Sequence, residues 1–167
     1  MKSMKRVAQA GFTLIELIVV IVILGILAAT ALPKFVSFGT DARVATLNAA
    51  KGSLLTTASM VKGKWVIEGG KNTSVTIEDA TVTYVATSGY PSADANFAKA
   101  AGLSSDYTIV PPASAATANS PATAAGQIAA IPSSIAGTTA GLSCFVMYTQ
   151  PASATAAAAA DITKTSC

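Results

Sequence analysis

The sequence predicts an α+β protein: a long N-terminal helix, apolar in its first half and amphipathic in its second, packed on a small antiparallel sheet. Three observations predict it. Residues 12–32 form an apolar run whose one charged residue is Glu16. From Phe35 to about Lys62 there is no Pro, and apolar residues recur at helical spacing. Beyond Glu68-Gly69-Gly70 the texture changes to short stretches in which Val, Ile and Tyr alternate with Thr and Ser, as in half-buried strands.

The first element is a short basic leader carrying Lys2, Lys5 and Arg6. An ordinary secretory signal is cut at a small-residue site after its apolar region. Here the small residue, Gly11, comes before that region. Removing 11 of the 167 residues leaves 156, enough for one modest domain and a long helix. Three of the eleven basic residues lie in the leader, so the remainder carries eight basic and eight acidic side chains. The basic balance therefore belongs to the leader, and no nucleic-acid partner is implied.

The second element is the apolar run. Its 21 residues make a helix about 31 Å long, against a hydrocarbon core of about 30 Å. A carboxylate at mid-bilayer costs about 2.5–3.5 kcal/mol, so an acidic residue in such a run usually marks a function. Glu16 lies near one end, close to an interface. Gly11-Phe12-Thr13-Leu14-Ile15-Glu16 followed by this run resembles the class III leader and first helix of the type IV pilins. The resemblance implies that a membrane-embedded prepilin peptidase cuts between Gly11 and Phe12 and methylates the new amine of Phe12. It also implies that Glu16 meets an N-terminal amine, its own or a neighbour's, and so drives assembly and sets register. An uncleaved single-pass anchor is the alternative reading of the same residues.

The helical pattern continues past Pro33. Val44, Leu47, Leu54, Ala58, Val61 and Trp65 form one row, and Phe38, Ala42, Ala45 and Ala49 form another. Two apolar rows suit a helix covered on two sides, by its own sheet and by neighbouring subunits. Taken as one rod, the 51 residues 12–62 reach about 77 Å, too long for a compact domain of this size. Gly25 and Pro33 weaken it, by up to about 1 and about 3 kcal/mol. The resemblance implies a bend and stretchable link over residues 25–33; a tolerated transmembrane kink is the alternative. The expected organisation is a cleaved leader at 1–11, a transmembrane and filament-core helix at 12–33, an amphipathic helix at 34–65 and a globular head at 66–167.

In the head, residues 74–86 read as strand material and 94–101 as a short helix stopped by Gly102. Residues 142–149 read as a second strand, and 162–166 as an edge strand. Residues 111–141 are dominated by Ala, Ser, Thr, Pro and Gly. They read mostly as surface loop, with 127–135 packing back. The two cysteines, Cys144 and Cys167, enclose 22 residues. An even count in an exported chain favours a disulfide, worth about 3–3.5 kcal/mol for a loop of this size. The loop resembles the C-terminal disulfide-bounded region of type IV pilins. Gly89-Tyr90-Pro91 and the strand from Cys144 to Thr149 resemble the mannose-sensitive haemagglutinin pilin group within the type IVa pilins.

Enzyme readings fail on inventory. The chain has no histidine, which removes Ser-His, Cys-His and zinc-histidine sites. It has no phosphate-cradling Gly-Lys-Ser/Thr loop and no Cys-x-x-Cys. Its adjacent acidic pair, Glu78-Asp79, reads as a solvated turn. No catalytic, cofactor or metal residue is assigned. The expectation is a structural pilin that waits in the inner membrane and polymerises into an extracellular filament for attachment, biofilm formation or motility. The resemblance implies a prepilin peptidase, an inner-membrane platform, a motor ATPase and further copies of the chain as partners. A type II secretion pseudopilin is the rival within the family, against which the cysteine pair and the lack of a clustered acidic calcium loop argue. A membrane-anchored adhesive or binding protein is the rival outside it.

Overall fold

The computed structural model describes residues 12–167, with the side chains of residues 33–37 left aside. Gly11 and the leader lie outside the described residues. The chain divides into two units, one ending at Gly39 and one comprising Thr40–Cys167. In the first, Leu14–Leu32 is an apolar helical stretch of 19 residues, none of them buried. It belongs to helix α1, Leu14–Ile67, whose backbone is helical through both Gly25 and Pro33.

The second unit holds the core. Leu47, Ala50, Leu54, Ala58 and Val61 are almost fully buried, while Ala42, Ala45 and Ala49 are exposed. Of the two rows, the one from Val44 to Trp65 lies on the core and the row of small residues faces outward. Helix α1 ends two residues past Trp65, on a glycine cap. Gly69 N–H donates to Val66 O at 3.0 Å and Gly70 N–H to Trp65 O at 2.9 Å, with both glycines at φ near +70°. This paired closure satisfies carbonyls that the last helical turn leaves open, and it needs the left-handed backbone that glycine adopts freely.

Strands β1 (Ser74–Ile77) and β2 (Ala80–Thr83) form an antiparallel hairpin. Its two-residue loop is Glu78-Asp79, so the acidic pair is a turn as expected. Helix α2 (Ala95–Ala100) starts on Asp94, whose Oδ1 accepts from Phe97 N–H at 2.8 Å. It stops at Gly102, φ +76°, as the sequence predicts.

The main sheet runs β3 (Tyr107–Val110), β4 (Gln127–Pro132), β5 (Cys144–Thr149), β6 (Ala159–Lys164), with every pair antiparallel. Ile128, Ala130, Val146 and Tyr148 share its inner face, and the Tyr148 ring lies 4.5 Å from that of Phe97 on α2. The Tyr148 hydroxyl donates to Pro91 O at 3.0 Å.

Three expectations change here. Residues 127–132 are not surface loop packing back but the inner strand β4, buried along almost its whole length. A strand covered on both faces shows no alternation. Its outer face lies beneath a 3-10 turn, Thr139–Leu142, where a Cβ on Gly141 would meet Ile131 Cγ2 at 3.3 Å and Asn119 O at 2.6 Å. Strand β3 was not expected. The edge strand β6 begins at Ala159, so the end of the Ala-rich tail pairs with Thr149 and Tyr148.

Candidate functional site

The site starts where the apolar helix starts. Phe12 is exposed and precedes the helix. Thr13 caps it: the Thr13 hydroxyl accepts from Glu16 N–H at 3.3 Å. Glu16 reaches back in return. Its Oε2 accepts from Thr13 N–H at 2.9 Å and from the Thr13 hydroxyl at 2.7 Å. This is a reciprocal capping box, which satisfies backbone donors that the first turn leaves open. Its Thr-x-x-Glu spacing stands in the sequence, and reasoning from membrane cost alone overlooks it.

The capping box holds Glu16 on the exposed surface of the first turn. The large apolar side chains that follow, from Leu17 to Leu27, are about half exposed or more. A helix this apolar with nothing against it needs lipid or other helices for cover. Gly25 also faces open space, with no atom within 4 Å of where a Cβ would stand. Pro33 sits in the helical backbone.

The cysteines meet as expected. Cys144, the first residue of β5, is bonded to Cys167, with Cα atoms 5.0 Å apart. Both are buried. Arg43 on α1 donates to the Cys167 carbonyl. Glu68, at the other end of α1, gathers three partners. Lys64 Nζ lies 3.3 Å away, Asn72 donates at 2.8 Å, and the Tyr84 hydroxyl lies at 3.5 Å. The Asn72 hydrogen bond foremost holds the Glu68 carboxyl below the usual range.

Residues 6–32 match the family model for the prokaryotic N-terminal methylation motif. The chain is similar to type II secretion system core protein G of Pseudomonas aeruginosa, 51% identical over 51 residues. That match covers 30% of this chain and 34% of the relative, so the chain spans about a third of the length of the curated relative it matches. No solved structure matches it. The N-terminal segment carries the methylation signal found in type IV pilins and pseudopilins, and the α+β arrangement behind it is consistent with the pilin fold.

Proposed function

We propose that this chain is a pilin: a structural subunit cut between Gly11 and Phe12, methylated on Phe12, and polymerised into an extracellular filament. One observation carries the reading, a carboxylate at the head of an exposed apolar helix inside the segment that matches the methylation motif. In a filament the new amine of one subunit would supply the charge that Glu16 of the next subunit lacks in lipid. Unit charges 4 Å apart attract by about 4 kcal/mol at an effective dielectric near 20, before desolvation is subtracted. Glu16 would then drive extraction from the inner membrane and set the axial register. Residues 25–33 would be the bend and stretchable link. The prepilin peptidase, inner-membrane platform and motor ATPase are the partners this reading requires.

The relative from Pseudomonas aeruginosa favours a second reading, a pseudopilin of a type II secretion system. The match leaves all but 30% of this chain uncovered. The head, with its disulfide-closed C-terminus and its resemblance to the mannose-sensitive haemagglutinin group, supports the pilin.

The deciding experiment shears cells that express the chain at its natural level and images the released material. Long surface filaments containing the chain are expected, and Glu16→Ala should abolish them while leaving the leader cut. Short structures confined to the cell envelope would favour the pseudopilin. Normal filament yield from Glu16→Ala would overturn the role given to the carboxylate.

A further inference from the structure

Two edges of the main sheet reach the same turn of α1. From β3, the Tyr107 hydroxyl donates to the Thr46 carbonyl at 2.8 Å. From the tail beyond β6, the Cys167 carbonyl accepts from the Arg43 guanidinium. Arg43 and Thr46 are three residues apart, one helical turn. The tail itself has little else to hold it. Pairing of β5 with β6 ends at Cys144 opposite Lys164. Thr165 and Ser166 are exposed, and Ser166 N–H reaches Ser143 O only at 3.5 Å.

We propose that the Cys144–Cys167 disulfide is a clamp on α1. It fixes the Cys167 carbonyl where Arg43 can hold it, so the sheet grips the helix at Arg43 to Thr46 from both edges. A guanidinium hydrogen bond to a carbonyl is charge-assisted and strong for its kind. Without the covalent link, ordering three tail residues for that one bond opposes it, because each residue surrenders backbone freedom. Opening the disulfide therefore releases the helix turn from one side. The helical core from Leu47 and Ala50 through Leu54, Ala58 and Val61 is held by burial and stays in place. The clamp goes beyond the filament reading and does not depend on it.

Hydrogen–deuterium exchange on the full chain in detergent micelles tests this. In one arm a dithiol gives two electrons and two protons to the disulfide, becoming a cyclic disulfide while Cys144 and Cys167 become thiols. In the second arm Arg43→Gln is measured with the disulfide intact. Peptides covering residues 40–46 should exchange on the order of tenfold faster in both arms, while those covering 47–61 do not change. Arg43→Lys, which keeps a charged donor, should restore part of the protection. Unchanged exchange at 40–46 on reduction would overturn the clamp, as would a reduction effect that Arg43→Gln fails to reproduce. If reduction loosens 47–61 as well, the Arg43→Gln arm decides alone: faster exchange at 40–46 supports the clamp and normal exchange overturns it.

Discussion

Glu16 caps the helix, the proposed function adds an assembly charge to the same side chain, and a single substitution separates the two. As a helix cap it needs only an oxygen that accepts from Thr13, which glutamine also supplies. As an assembly charge it needs to be ionised. Glu16→Gln should therefore keep the helix start and still lose filaments as Glu16→Ala does, measured by sheared pilin yield. Normal yield from Glu16→Gln would give the role to the cap. Glu16→Asp should fall between. Gly89 shows the other way one residue can matter. Its φ is +69°, and a Cβ there would stand 2.3 Å from the Trp65 ring. Gly89→Ala combines left-handed backbone strain with overpacking, a cost of about 2–4 kcal/mol. The unfolding midpoint in detergent should fall accordingly, with a changed Trp65 emission.

At the scale of elements, the C-terminal end of α1 and Tyr148 on β5 carry opposite pH dependences. Glu68 ties the glycine-capped end of α1 to Asn72, Lys64 and Tyr84, which favours its ionised form. Its folded value is depressed, so its stabilisation is present above the unfolded value of about 4.3 and is lost as pH falls through the folded one. Glu68→Gln should flatten the acid limb of the stability curve. Tyr148 behaves in the opposite sense. Burial first, then the nearby Tyr90 and Asp94, hold its phenol well above the usual range. Its stabilisation is full below about 10 and is lost as pH rises from there toward the folded value. Tyr148→Phe keeps the ring against Phe97 and gives up the bond to Pro91, so the alkaline loss should shrink. Tyr84, shifted the same way by burial, leaves a residual slope. Chemical unfolding of the full chain between pH 3 and 11 measures both limbs.

For the whole molecule, processing and cross-linking are the measurable properties. Mass spectrometry of filaments should find a chain starting at methylated Phe12, and Gly11→Val should leave the precursor uncut in the membrane. Recovery of leader residues in mature filaments would remove the pilin assignment. Non-reducing spectra should show Cys144 and Cys167 linked within one subunit, and replacing either by Ser should cost about 3 kcal/mol of stability. Dimers through the cysteines would overturn the intramolecular link.

What the sequence determined by itself is what local pattern and covalent order encode. The apolar run with its lone carboxylate, the glycine stop after Ile67, the Asp94 cap, the turn at Glu78-Asp79 and the cysteine count need only neighbours along the chain. The Thr13–Glu16 box was equally readable. Only the tertiary structure decided the centre of the sheet. Gln127-Ile128-Ala129-Ala130-Ile131 has no alternation because both faces are covered, the alanines as fully as the isoleucines. β3 and the first residues of β6 take their strand form from partners, Ile131 and Thr149, that lie outside their own segments. Pairing energy belongs to the ladder and not to the segment. The same holds for Arg43, an ordinary cation in the helix pattern until the disulfide, 124 residues away, sets a carbonyl against it.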